Sequence, residues 1–414
     1  MRINPEIMSA SALRRPSVRL VMVTPSNNNK VYEMAENGDG TFTARFGRIG
    51  ARLQEKDYPM ARWDATYRAK TRKGYADVTA LAAEGGDGGF AIDDPTVAAF
   101  VDRLRAAADS ALKAQYLVAP GAVSPRLVAD AQAHLDALAA LAGALDGSPE
   151  TAAAFDQRLL DLYTTIPRYM ADVRAHLLGG SLDRDGVPDL LDREQEALDR
   201  MAQRVRLDGA ADRPTLRDAL GVDLRPVTDE AVLDRIRDLM GDARDRLGLV
   251  VEVDHPAHRA RFEAHVAASP RKRTDLLWHG SRTENWLSIL ERGLCLNPAR
   301  AVITGKMFGY GLYFADSFRK SLGYTSLRGA IWSRGGAVHG VLGLYDVHLG
   351  RRLTVRRHEP WCGALTADGL AERGRLLRYD SLHARAGQML RHDEYVIYRE
   401  AQACPRYLVE VLDR

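Results

Sequence analysis

Three times between residues 94 and 149, a side chain able to cap a helix stands directly before a proline: Asp94-Pro95, Ser124-Pro125 and Ser148-Pro149. A proline at the first helical position loses nothing, because the N–H it lacks would have no intrahelical partner, and the residue before it supplies the capping oxygen. The middle of the chain is therefore predicted to be helical, with fixed starts. Behind the first start, Val97, Phe100, Val101 and Leu104 recur at i, i+3, i+4 and i+7, and Leu191, Leu198, Met201 and Val205 mark a later apolar face. Both stripes are read as the core of a helical bundle. This stretch holds no nucleophile motif, metal cluster or phosphate loop, so it is assigned a regulatory or scaffolding part.

The flanks follow other patterns. VRLVMV, KVYEM and TFTARFGRIG (residues 18–50) read as three strands, with NGDG as the hairpin turn between the last two, and DATYRAKTRKGY as a helix ended by Gly74. A small mixed sheet with one helix is predicted. The Gly- and Asp-rich stretch 82–94 reads as a linker. After residue 223 short β-rich runs dominate, VHGVLGLYDVHLG, EYVIYR and RYLVEVL among them, without the βαβ alternation of a doubly wound sheet. The prediction is an α+β multidomain chain whose last unit is built on antiparallel strands. No GxGxxG follows a strand and no GxxxxGK[ST] is present, so a nucleotide would not be held in the Rossmann or P-loop manner.

Charge and cysteine usage narrow the partners. The chain carries a formal net charge of +3, yet residues 1–80 hold 14 Lys and Arg against 8 Asp and Glu, so the basic excess is local and the remainder is slightly acidic. One small module facing a polyanion is expected from that asymmetry. The three cysteines, Cys295, Cys362 and Cys404, are too few and too dispersed for a disulfide framework or a four-cysteine zinc site. A reducing compartment and no metal are expected. No apolar run approaches the roughly 18 residues of a membrane span, so no membrane partner is expected. Arginine and alanine abundance at the expense of lysine points to a GC-rich, bacterial source.

Three segments carry the chemistry: LLWHGSRTENWLSILERGL (276–294), TGKMFGYGLYFADSFRKSLGYT (304–325) and HDEYVIYREAQ (392–402). Together they resemble the catalytic domain of the poly(ADP-ribose) polymerases, in which a His, a Tyr and a Glu on three strands line a cleft for NAD+. The resemblance covers about 140 residues and places that triad on His279, Tyr313 and Glu394. It implies NAD+ as substrate. The chemistry fits these residue types: cleaving the nicotinamide–ribose bond develops positive charge on the sugar, and a carboxylate beside it favours the transition state over the ground state. Alone, a strand glutamate most often faces solvent, and a His-Gly pair is rarely catalytic. The ordered set changes that reading. By the same resemblance Gly280 and Ser321 recognise the nicotinamide amide, the rings of Tyr313 and Tyr324 sandwich the pyridinium, and Phe314 and Ala315 line the cleft beside them. Ser281 and Asn285 match positions near the adenosine end, and Lys320 and Met307 positions near the acceptor. The sequence departs from the pattern at Cys295, where many relatives carry arginine, and between Gly350 and Gln388, where the acceptor loop should lie.

The first region resembles a WGR domain, the nucleic-acid-sensing module of the DNA-dependent members, through KVYEM, FGRIG and KTRKGY. Phe46 replaces the signature tryptophan, keeping a stacking face without the indole N–H, and Arg48 takes the signature arginine position, to contact phosphate or to relay to the next domain. The middle helices, through LLDLYTTIP (159–167) and LLDREQEALDRMAQRV (190–205), resemble the family's autoinhibitory helical domain. The resulting division is a WGR-like domain at 15–82, a linker at 83–94, a helical regulatory domain at 95–222 and a transferase at 223–414. The function expected is a DNA-break-activated, NAD+-dependent poly(ADP-ribose) polymerase that modifies itself and other proteins. The alternatives are mono-ADP-ribosylation of protein or nucleic-acid ends, or an inactive DNA-binding adaptor. The protein is expected to be a monomer when free of DNA, and cytoplasmic and nucleoid-associated if bacterial, or else nuclear.

Overall fold

The computed structural model describes residues 15–82, 89–209, 213–296, 307–330, 336–374, 378–387 and 390–413. Half of the linker read from the sequence, residues 83–88, lies outside them. Strands β1 (Val18–Thr24), β2 (Asn28–Glu36), β3 (Thr41–Arg48) and β4 (Gln54–Pro59) form a meander. After helix α1 (Trp63–Arg72) the short β5 (Ala76–Asp77) pairs with the other edge of β1, giving the order β4-β3-β2-β1-β5. Every pair in this sheet is antiparallel, which corrects the mixed sheet expected from the sequence. Two strands were not legible: β4 reads QEKDYP, a polar edge strand exposed over most of its length, and β5 has only two residues.

Helices α2 (Pro95–Gln115), α3 (Pro125–Gly143) and α4 (Pro149–Thr165) begin at the three prolines. The side chain of Asp94 accepts from the Thr96 and Val97 amides, Ser124 from Leu127, and Ser148 from Thr151. With α5 (Val187–Asp208) they form the bundle. Leu191, Leu198, Met201 and Val205 are buried in its interior, in one continuous core that also takes in Val21, Val31 and Ile49 of the first sheet. The other stripe behaves differently. Val97, Phe100, Val101 and Leu104 pack not on the bundle but on the transferase, among Leu216, Trp286, Leu290 and Tyr345, and only the later part of α2, from Leu112, enters the bundle core. Periodicity shows that a helix face is buried without showing against what.

The remaining elements are α6 (Leu216–Leu220), β6 (Asp223–Pro226), α7 (Glu230–Met240), β7 (Leu247–Asp254), α8 (Pro256–Ala268), β8 (Thr274–Gly280), α9 (Trp286–Arg292), β9 (Leu312–Phe314), α10 (Phe318–Leu322), β10 (His339–His348), β11 (Arg352–Val355), α11 (Ala367–Glu372), β12 (Ser381–Ala384), β13 (Glu394–Ile397) and β14 (Ala403–Leu412). They build two sheets, β6-β7-β14-β10-β8 and β11-β12-β13-β9. All pairs are antiparallel except β11 with β12, which run parallel. The two sheets meet where the backbones of Trp278 on β8 and Ala315 just after β9 exchange hydrogen bonds of 2.8 and 3.0 Å. That junction sets His279 beside Tyr313. Among the described residues no helix is long and apolar enough to cross a membrane.

Candidate active site

His279 is the next-to-last residue of β8, one position past the junction. Its Nδ1 lies 3.0 Å from the Tyr313 carbonyl oxygen. A carbonyl only accepts, so Nδ1 carries the proton and Nε2 presents a lone pair. Burial lowers the His279 pKa, which keeps the ring neutral. A neutral imidazole so oriented can accept a hydrogen bond from a sugar hydroxyl, in keeping with an orienting part rather than a nucleophilic one.

Gly280 follows, with Ser321 of α10 close behind it. A Cβ at Gly280 would stand 2.1 Å from the Ser321 carbonyl oxygen and 3.0 Å from Tyr324 Cβ, so only glycine lets α10 approach. Ser321 is buried and Tyr324 is 40% exposed. The Tyr313 hydroxyl donates to the Gly309 carbonyl at 2.7 Å and accepts from the Phe308 amide at 3.3 Å, so its ring is held from both sides. Burial raises the pKa of both phenols, with the nearby Glu394 adding to it in each case.

Glu394 opens β13 and is 8% exposed. Its Oε1 lies 2.5 Å from Lys320 Nζ, on the cleft side of α10. The Val396–Tyr313 pairing of β13 with β9 puts Glu394 on the same sheet face as Tyr313. The structure thus brings His279 to Tyr313, Gly280 to Ser321 and Tyr324, and Glu394 to Lys320 and both tyrosines; His279 and Tyr313 line the cavity, with Phe314 buried behind, its ring 5.6 Å from that of His279. Met307 is 43% exposed. Cys295 is partly buried in the cleft wall with its thiol pKa raised to about 11, chiefly by burial. It occupies the place of the expected arginine without supplying a charge.

At the other end of the cleft Ser281 Oγ accepts from Asn285 Nδ2 at 3.1 Å. Here the sequence reading missed a whole wall. Asp192, Gln195, Glu196 and Asp199 of α5 line the same cavity as His279, Ser281, Asn285 and Tyr313. Arg200 hydrogen-bonds the Asn285 carboxamide oxygen, Arg292 of α9 pairs with Asp199, and Arg206 pairs with Glu291 at 2.5 Å. Burial raises the carboxyl pKa values of Glu196 and Asp199, against the opposing pull of Arg200 and Arg292 respectively. The space left is about 220 Å³, below the roughly 300–1,000 Å³ of ordinary ligand pockets. The signal was in the sequence: the polar residues of LLDREQEALDRM alternate with the apolar stripe, but a polar helix face is normally only solvated.

The sequence pattern of the poly(ADP-ribose) polymerase catalytic domain matches residues 236–412. The putative poly(ADP-ribose) polymerase-like protein 100L of Invertebrate iridescent virus 6 is 30% identical over 156 residues, which cover 36% of this chain and 77% of that protein. The chain belongs to the poly(ADP-ribose) polymerase family. It is therefore an NAD+ ADP-ribosyltransferase, with NAD+ as its substrate. Poly(ADP-ribose) polymerase 2 of Arabidopsis thaliana is 33% identical over 162 residues, 34% of this chain and 24% of that protein. The human poly(ADP-ribose) polymerase 2 is 59% identical over 49 residues, 12% and 8% of the two chains. The likeness to these larger polymerases thus covers a minor part of their length. Among the described residues no group of three or more His, Cys, Asp or Glu is placed to hold a metal.

The residue types suit this family's chemistry: aromatic faces such as those of Tyr313 and Tyr324 favour a cationic ring, and a carboxylate such as that of Glu394 favours positive charge developing on a neighbouring sugar. The remaining two residues singled out in the sequence, Phe46 and Arg48, lie on the first sheet, in β3. Phe46 stacks on Tyr32 with centroids 5.5 Å apart, in a groove shared with Tyr58, Arg62 and Lys70. The Arg48 guanidinium donates to the Asn27 carbonyl and side-chain oxygens at 2.8 Å each, and to Ala171 O at 2.5 Å.

Proposed function

We propose that this transferase is a poly(ADP-ribose) polymerase switched on by DNA strand breaks, which modifies itself and other proteins and extends the chains. Residues 15–82 sense the break, the bundle at 95–222 regulates, and 223–414 transfer, in a monomer that acts in the cytoplasm at the nucleoid. The observation that carries this reading is Arg200 of α5 bonded to Asn285 inside the NAD+ cleft. A helix with no chemistry of its own occupies the adenosine end, so the resting rate is low until something moves it.

A route to the first sheet supports DNA as that something. Asn29 Nδ2 donates to the Arg168 carbonyl at 3.1 Å, Asn27 accepts from the Val173 amide at 3.0 Å, and Arg48 holds the carbonyl of Ala171. Arg168 in turn forms a buried ion pair with Glu194 of α5, flanked by the hydroxyls of Tyr116 and Tyr163. On the first sheet, Lys70 stands 3.9 Å from the Tyr32 ring centroid, and its pKa is lowered by burial and then by Lys73 and Lys30. Crowded cations beside aromatic faces are what a nucleic-acid end relieves, by neutralising charge and by stacking. Lys320, which matches a position near the acceptor in the family resemblance, sets its cation beside Glu394, and a cation there would suit an acceptor's phosphates, which supports elongation.

The test is nicotinamide release and product length without DNA, with nicked duplex and with closed circular DNA. The reading expects stimulation by the nicked duplex alone, falling steeply with salt, with polymer as product. Equal stimulation by closed circles removes the break-sensing part, and single ADP-ribose units removes elongation.

A further inference from the structure

Glu394 sits at a weak point of its sheet. It is the first residue of β13, and the pairing of β13 with β9 begins only at Tyr395 opposite Phe314, so residue 394 has a ladder partner on one side only, Ala384 of β12. Strand ends fray, and a carboxylate that must meet the developing charge within a fraction of an ångström needs more than one neighbouring strand to hold it. Lys320 pairs with its charge but does not fix its backbone.

The opposite face of the strand supplies the support. Side chains alternate along a strand, so Asp393 and Tyr395 point away from the cleft while Glu394 points into it. Both are held by one residue of β12, His383, which is 9% exposed. Its Nε2–H donates to Asp393 Oδ2 at 2.6 Å, and its ring lies flat on that of Tyr395, with centroids 4.6 Å apart and planes 7° from parallel. The other carboxylate oxygen of Asp393 accepts from the Ala386 amide at 2.7 Å. The Tyr395 hydroxyl donates to Asp316 at 3.3 Å, in the segment that continues β9 past Ala315. The neighbours of Glu394 on either side are thus clamped to β12, and through Tyr395 to the strand that carries Tyr313.

We propose that His383 is a positioning residue for the transfer reaction: it binds Asp393 by its Nε2–H and Tyr395 by its ring, and so fixes the backbone from which Glu394 reaches the sugar. The residues offered to the amide and the pyridinium, Gly280, Ser321, Tyr313 and Tyr324, lie on other elements. Loss of the clamp therefore acts on the chemical step and spares substrate binding.

The experiment is steady-state nicotinamide release by the full chain, with kcat and KM for NAD+ determined separately, in wild type, His383→Ala, Asp393→Ala, the double variant and His383→Gln. The expected result is a kcat reduced about 10-fold to 100-fold in each alanine variant, the scale of a misplaced catalytic group, with KM for NAD+ within about twofold. The double variant should lose little more than either single one, since both break the same link. Glutamine, which keeps a donor for Asp393, should recover part of the loss. Wild-type kcat in a folded His383→Ala variant overturns the proposal. So does a loss shared between kcat and KM that glutamine does not relieve, which marks a general structural part. If His383→Ala fails to fold, Asp393→Ala carries the same test, because it leaves the stack on Tyr395 in place.

Discussion

The two walls of the NAD+ cleft are built differently. On the transferase side, His279 and Tyr313 are fixed by hydrogen bonds to backbone groups, and both, with Glu394, rise from strands. On the α5 side, contacts between charged or polar side chains join the helix to the transferase: Arg200 with Asn285, Arg292 with Asp199, Arg206 with Glu291. Backbone bonds in a sheet are indifferent to pH and salt, whereas exposed and half-buried ion pairs are sensitive to both. The second wall is therefore the one that pH and salt can reach. The anchor of the second wall lies on its far side, where α5 is held by an apolar core and by the Arg168–Glu194 pair.

Substitutions on the two walls should therefore move the rate in opposite directions. The largest effect belongs to the fixed wall. Glu394→Gln should lower polymer formation by about 10²-fold or more, the scale of losing a transition-state electrostatic contact, with NAD+ binding retained. Wild-type polymer lengths and rates in that variant would remove Glu394 from the mechanism. Next is the anchor of the α5 wall. Arg168→Leu leaves Glu194 buried without its partner and should cost about 3–5 kcal/mol in bundle stability, read as a fall in the bundle's unfolding transition. Replacing both residues by apolar ones should cost much less.

Arg200→Ala should raise the DNA-free rate about tenfold, since a charge-assisted hydrogen bond of roughly 1.5–3 kcal/mol holds the wall in place. Nicotinamide release normalised to the DNA-stimulated rate measures it, and no rise would mean that Arg200 is not part of the closure. The smallest effect is that of pH. The closed wall raises the carboxyl pKa values of Glu196 and Asp199, so it binds more protons than the open one. Its contribution is complete below the ordinary carboxylate range and is lost as pH rises through the raised values. The DNA-free fraction of the stimulated rate should climb with pH above that range, and it should climb less in Glu196→Gln.

Much of this was legible in the sequence because it rests on local rules. The capped prolines marked three helix starts to the residue, and the ordered segments around His279, Tyr313 and Glu394 lie side by side in the structure. What was not legible depends on tertiary partners. Val97, Phe100, Val101 and Leu104 read as bundle core, yet the transferase buries them, because a 3.6-residue period is silent about the surface it meets. Asp192, Glu196 and Asp199, which line the cavity, and Arg200, which bonds Asn285, carry no sequence signal, because a polar helix face is normally only solvated. His383 carries no motif at all: its part arises only when β12 and β13 pair in register. The first sheet is antiparallel throughout rather than mixed, and its polar strand β4 went unread because QEKDYP lacks the apolar alternation that marks a strand.

Hydrogen exchange on the full chain, with and without nicked duplex, bears most directly on the claim that a removable helix closes a permanent catalytic wall. Amides of α5, residues 187–208, should lose protection when the nicked duplex binds, because opening a packed helix exposes its backbone. Those of β8, β9 and β13 should keep theirs, and nicotinamide release should rise in the same samples. Release that rises with α5 protection unchanged, or protection lost equally from α5 and the three catalytic strands, would contradict the account.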